Sequence, residues 1–171
     1  LVTAFAAASP SVPTALGMAA VGSVVVLSSG VFPSTIYSSS DGATWTSRLA
    51  AGGTDTYLFG TLYAKPGGTS TLYAFNQSPT TGTKMAYSTN GTAWTEVAPT
   101  EAVSGNGLTI FRHAVYDAKL VALAYDRTAA AWKVVYSVDP NTAGSWTNST
   151  IALPEQMFSI ATFVDSQGAP A

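Results

Sequence analysis

The residues of this sequence able to do chemistry are few, and their spacing assigns them no shared reaction. His113 is the single histidine. Strand alternation through Ile110-Phe111-Arg112-His113-Ala114-Val115 puts Arg112 and His113 on opposite faces, so at most one of them looks into any given site. A nucleophilic triad needs a histidine beside a serine and an aspartate, and a lone histidine on a strand is ordinary. Paired carboxylates for glycosidic cleavage would come from Glu96, Glu101, Asp117, Asp126, Glu155 or Asp165. All of these fall in expected turns or at strand ends, where solvated caps are the ordinary role. Asp139-Pro140-Asn141 and Asp41-Gly42 lack the alternating oxygen ligands of a calcium loop. The chain has no cysteine, which removes disulfides, cysteine–zinc sites and thiol nucleophiles together. No metal and no cofactor is expected, and the residues alone point away from an enzyme.

Aromatic side chains are the remaining functional resource, because stacking on a sugar ring takes an exposed Trp or Tyr beside polar groups. Tyr57, Tyr63, Tyr73, Tyr116 and Tyr125 are available, with core packing as their competing role. Trp132, next to Lys133 and outside the repeated motif described below, is the aromatic expected to be most exposed. Trp132, Tyr116 and Tyr125 are therefore the candidate ligand-binding residues.

The surroundings of these residues exclude several partners. Charged residues are 9% of the chain, with a formal net charge of −2, against about a quarter in ordinary soluble domains. Its seven lysines and arginines are scattered singly, so nothing resembles the basic footprint that nucleic-acid binding requires. The most apolar stretch, Ala15 to Leu27, is about 13 residues long and carries Gly17 and Gly22. That is short of the roughly 20 residues of a membrane-crossing helix, and no charged segment precedes it as in a signal peptide. Two strands fit it better, and no membrane insertion is expected.

Apolar residues, 47% of the chain, come in short runs broken by Gly, Ser, Thr and Pro, the pattern of short strands and tight turns. These runs repeat. Tyr37-Ser38-Ser39-Ser40-Asp41-Gly42-Ala43-Thr44-Trp45-Thr46 returns as Tyr87-Ser88-Thr89-Asn90-Gly91-Thr92-Ala93-Trp94-Thr95. A looser copy runs Tyr136-Ser137-Val138-Asp139 and, after an insertion, Gly144-Ser145-Trp146-Thr147. Trp45 and Trp94 are 49 residues apart, and Trp94 and Trp146 are 52 apart, the period of a four-stranded propeller blade. Strands are expected at Ala15 to Ala20, Gly22 to Ser28, Thr35 to Ser38 and Thr44 to Arg48 in the first unit. The second has Tyr57 to Tyr63 and Thr71 to Phe75, and the third Thr109 to Tyr116 and Lys119 to Tyr125, each ahead of its marked hairpin. Asp41-Gly42 and Asn90-Gly91 signal two-residue type I′ turns with positive φ at both central residues. The structural turn motif is then Asp41, Gly42, Trp45, Asn90, Gly91, Trp94, Asp139 and Trp146, a staple rather than a site.

At these residues the chain resembles the Asp-box repeats, also called bacterial neuraminidase repeats, whose pattern runs Ser-X-Asp-X-Gly-X-Thr-Trp. Ser38, Gly42, Thr44 and Trp45 fall at the family spacing, whereas Asp41 lies one residue closer to the tryptophan, as does Asn90 in the second copy. The third copy carries an insertion between Asp139 and Gly144. The resemblance implies a propeller fold. It implies no reaction, because the family spans sialidases, other glycoside hydrolases, assembly factors and non-enzymatic binding proteins. A sialidase would need converging arginines and a Tyr–Glu pair, and the three arginines here do not recur with that pattern. Tandem units of this flavour also look like propeller segments of phage tail and fibre proteins and of large bacterial surface proteins.

The expected architecture is a single all-β domain over 1–171, a β-propeller-like array of four-stranded antiparallel blades. Its units span about 15–50, 55–98 and 108–152, with a partial fourth formed by 1–8 and 157–164. The expected function is a non-catalytic module for structural assembly or recognition, in a virion or an extracellular surface protein, with other protein subunits or surface glycans as partners. The alternative is part of a sialidase-like propeller glycoside hydrolase whose catalytic residues lie elsewhere.

Overall fold

A computed structural model describes residues 15–29, 34–50, 57–63, 67–76, 85–97, 108–126, 129–142 and 144–153, and over them the chain is all-β. The first sheet contains β1 (Ala15–Val21), β2 (Val24–Ser29), β3 (Thr35–Ser39) and β4 (Thr46–Ala50). The second contains β5 (Tyr57–Tyr63), β6 (Thr71–Asn76), β7 (Met85–Ser88) and β8 (Thr95–Val97). The third contains β9 (Leu108–Tyr116), β10 (Lys119–Asp126), β11 (Ala131–Ser137) and β12 (Thr147–Leu153). In each sheet the strands pair in chain order and antiparallel. β1 lies beside β5 and β5 beside β9, so the first strands run along the inside of a propeller-like array. The fourth strands form its outer edge, and β4 is largely exposed. The expected partial unit of 1–8 and 157–164 lies outside the described residues. Among those described, no helix is long and apolar enough to cross a membrane.

The middle sheet shows why these short strands cohere. Every residue of β6 from Thr71 to Phe75 is buried, because alternate side chains face different sheets. Leu72 and Ala74 meet Val21, Val26 and Ile36 of the first sheet. Tyr73 and Phe75 meet Ile110, Leu120, Ala122 and Val135 of the third. Fully burying a side chain such as Leu72 or Phe75 contributes about 1.5–3 kcal/mol. Alanines at 74, 86, 122 and 124, all 0% exposed, leave room for the larger side chains opposite.

Trp94 leans on the preceding sheet, packing with Val21, Val26 and Ile36. Trp146 does the same one sheet later, its indole edge-on to Phe75 with centroids 5.9 Å apart. Trp45 is 9% exposed.

The hairpin turns depart from the expected type I′ geometry. Residues 40–45 link β3 to β4 and residues 89–94 link β7 to β8, and positive φ is confined to Gly42 (74°) and Gly91 (75°) in these turns. The cause is side-chain capping. Ser39 Oγ accepts from the Gly42 amide at 2.9 Å, while Asp41 Oδ1 accepts from the amides of Ala43 (2.8 Å) and Thr44 (2.7 Å) and from the Ser39 hydroxyl (2.8 Å). Ser88 and Asn90 repeat the arrangement, with Gly91 N to Ser88 Oγ at 2.8 Å and both Thr92 N and Ala93 N to Asn90 Oδ1 at 2.9 Å. With the amides satisfied this way, the wider loop needs positive φ only at its glycine. In the third copy the insertion shifts the work to the backbone: Thr142 N and Ser145 Oγ both donate to the Asp139 carbonyl, at 3.0 and 2.7 Å. A two-residue reversal with positive φ at both positions does occur, at Asp117 (46°) and Ala118 (52°) between β9 and β10.

The β1–β2 turn also shifts a boundary. Val21 pairs with Val24, and Gly22, with φ 57°, sits in the turn rather than beginning β2 as expected.

Candidate functional site

Of the three expected ligand-binding aromatics, the structure brings two together. Tyr125 on β10 and Trp132 on β11 are direct cross-strand partners, which puts both rings on one face of the third sheet. Their centroids are 5.3 Å apart with planes inclined by 56°, and both are part-buried, part-exposed. Tyr116 is remote from them. It pairs with Lys119 at the opposite end of β10, beside the exposed Lys119–Asp117 ion pair.

Behind the aromatic pair, on the face toward the second sheet, lies a charged pair. Asp126 ends β10 and is 1% exposed. Its Oδ2 accepts from Lys133 Nζ at 2.6 Å and its Oδ1 from the Ala129 amide at 3.0 Å. This corrects the expectation of a solvated cap. The Ala129 amide reaches the carboxylate just ahead of β11, and the long lysine stem crosses from that strand to neutralise it. A buried carboxylate without such a partner would be strongly disfavoured.

His113 and Arg112 occupy opposite faces of β9, paired with Ala122 and Leu123. The His113 ring lies over Phe75, centroids 5.1 Å apart. Burial, with the nearby Arg112 charge adding to it, lowers its pKa to about 4, so the imidazole is neutral at pH 7 and poorly suited to accept a proton there.

The remaining carboxylates are dispersed. Asp117 is exposed in a turn, and Glu96 is exposed on the outer strand β8. Asp41 is held well below the usual carboxylate range by the Thr44 amide first, then the Ala43 amide and the Ser39 hydroxyl. Asp139 caps the third turn through Thr142 Oγ1 at 3.1 Å. Asp117 and Asp126 stand at opposite ends of β10, too far apart for the roughly 5–9.5 Å separation of a glycosidase pair. Glu101, Glu155 and Asp165 lie outside the described residues, as do Tyr57 and Tyr63 with respect to their side chains. Among the described residues no group of three or more His, Asp or Glu side chains is placed to hold a metal ion.

No protein-family model matches the chain, and no curated protein matches it in sequence. Its fold does match solved structures. The endo-arabinase of Bacteroides thetaiotaomicron VPI-5482 superposes over 88% of this chain with a TM-score of 0.51 and 16% identity. A family 117 glycoside hydrolase of the marine bacterium Zobellia galactanivorans covers 78% of this chain, with a TM-score of 0.45 and 13% identity. The chain spans 66% of the endo-arabinase and 54% of the second protein.

The likeness to the endo-arabinase establishes the propeller-like fold, and it corrects the functional expectation. The sequence alone points to a non-catalytic module for assembly or recognition and to no enzyme. The solved structure that shares this fold is an endo-arabinase, so the fold gives no support to a non-catalytic assembly module.

Proposed function

We propose that this chain supplies blades of a carbohydrate-processing propeller of the glycoside hydrolase kind. The observation that carries the reading is the fold shared with an endo-arabinase over 88% of the chain. Tyr125 and Trp132 serve as its sugar platform: two adjoining, partly exposed rings bind the apolar face of a pyranose or furanose. The Asp126–Lys133 pair at their backs fixes the β10–β11 reversal that presents them. Asp41, Asp117, Asp126 and Asp139 are each engaged in a turn or an ion pair, and Glu96 sits on an outer strand. The cleaving carboxylates are therefore assigned to residues outside the described ones. We also take the Ser39/Asp41 and Ser88/Asn90 turns as variants of the Asp box, with the acidic or amide cap displaced by one residue. An extracellular setting, where polymeric glycans are met, accompanies this reading.

The platform is tested by affinity electrophoresis of the protein through gels containing arabinan, xylan, galactan or agarose. Retardation by at least one polymer is expected, and Trp132→Ala should reduce it about tenfold or more, the loss of one stacking contact of roughly 1.5 kcal/mol. Equal retardation of the variant and the parent would remove Trp132 from the site. No retardation by any polymer would remove the reading.

A further inference from the structure

A second place in the molecule has the makings of a binding site, and it lies away from Tyr125 and Trp132. Between the β3–β4 turn and the β7–β8 turn runs a cleft of about 320 Å³, bordered by Ser38, Ser39, Asp41, Arg48, Val24 and Thr92. Its volume is at the small end of the range for small-molecule sites, about 300–1,000 Å³. The cleft forms because the turn of the second sheet comes down on the first. Gly91 approaches so closely that a Cβ there would stand 2.9 Å from Val24 Cγ1, and the neighbouring Thr92 closes one side.

The polar groups of this cleft are fixed in advance. Ser38 is 2% exposed, and its Oγ accepts from Arg48 Nε at 2.7 Å, which anchors the guanidinium through one of its donors. Neither of the ion pairs Lys119–Asp117 and Lys133–Asp126 involves Arg48. Ser39, 4% exposed, holds Asp41. The turn amides of Ala43 and Thr44 occupy Asp41 Oδ1 and keep the carboxylate ionised, and the Ser39 and Thr44 hydroxyls add to them.

Only the first unit combines these charges. Three residues past the motif tryptophan stands Arg48 in the first copy, Val97 in the second and Ser149 in the third, and the second replaces Asp41 by Asn90. The shared turn therefore does not require the guanidinium.

We propose that this cleft binds a neutral polyhydroxylated ligand, a saccharide unit, between Arg48 and Asp41. A sugar hydroxyl donates to the carboxylate and a neighbouring hydroxyl accepts from the guanidinium, so one vicinal diol satisfies both charges. A simple anion would meet Asp41, and a simple cation would meet Arg48. Val24 is the one apolar side chain among the six residues named, which suits a ligand held by its hydroxyl edge rather than stacked by its face. This site goes beyond the proposed platform and does not depend on it.

The test is a heteronuclear NMR titration of the whole chain with L-arabinose, D-xylose, D-galactose and D-glucose, and separately with sodium phosphate. At least one sugar should shift the Arg48 side-chain Nε–H signal and the amides of Gly42, Ala43 and Thr44, with phosphate producing no saturable shift. Arg48→Gln and Asp41→Asn should each weaken that binding about tenfold or more. Asn90 shows that an amide caps this turn, so Asp41→Asn should keep the fold and its amide dispersion. Trp132→Ala should leave the response of these Arg48 and turn-amide signals unchanged, which separates this site from the platform. The proposal is overturned if no sugar moves these signals, if phosphate saturates them instead, or if both cleft variants bind as the parent does.

Discussion

His113 carries its ring against Phe75 at 5.1 Å, and that contact has a consequence for stability. Its pKa in the folded protein is about 4, lowered by burial and then by Arg112, against about 6.5 in an unfolded chain. Between those values the unfolded state binds more protons, so stability rises with pH across the window and falls as pH drops through it. The full shift corresponds to about 3 kcal/mol, and the part-exposed ring brings the expected loss nearer 2 kcal/mol. Urea unfolding at pH 7 and pH 4 should show this loss in the parent and a correspondingly smaller one in His113→Leu. An identical pH profile in the two proteins would show that the ring is equally free to protonate in both states. The position of His113 on a strand, opposite in face to Arg112, follows from alternation alone. Its contact with Phe75 does not, because Phe75 belongs to another sheet and 38 residues separate the two. Asp126 was obscured for a similar reason: its end-of-strand position suggests a solvated cap, and only the fold brings Lys133 across to bury it.

Among the elements, the Ser-X-Asp-Gly and Ser-X-Asn-Gly turns show how one local motif serves two purposes. Gly42 and Gly91 share their φ, 74° and 75°, yet a Cβ on Gly42 would meet nothing within 4 Å, whereas one on Gly91 would press on Val24, Val21 and Val26 at 2.9–3.2 Å. Gly42→Ala should therefore cost only the left-handed backbone penalty, about 1 kcal/mol. Gly91→Ala should add a steric term of about 1–3 kcal/mol from forcing the second sheet off the first. Paired denaturation curves measure the difference, and equal losses would show that the sheets do not meet at this turn. The recurrence of Tyr-Ser and Trp at about fifty residues made the strands legible, and β9 and β10 fall within one residue of expectation. Asp-Gly and Asn-Gly with their flanking strands suggest a type I′ turn, but positive φ there falls only on Gly42 and Gly91. The serine two residues before Asp41 or Asn90 carries the missing signal: its hydroxyl takes the glycine amide, and the loop opens to six residues.

At the scale of the molecule, three similar sheets stand side by side with their first strands inside, and each interface is closed by a tryptophan or aromatic cluster from the sheet that follows. Such an array leaves its turns and strand ends for specific chemistry, and both sites proposed for this chain, the Tyr125–Trp132 pair and the Arg48–Asp41 cleft, lie there. The architecture could be read from the repeat because every copy answers to the same packing demand. Function could not, since the motif residues are committed to holding turns, and the cleft depends on Thr92 arriving from another unit. The most direct test of carbohydrate processing is product analysis after incubating the protein with linear arabinan and a panel of other plant and algal polysaccharides. The account predicts new reducing ends and released oligosaccharides from at least one polymer. A panel returned intact after prolonged incubation with folded protein would contradict it.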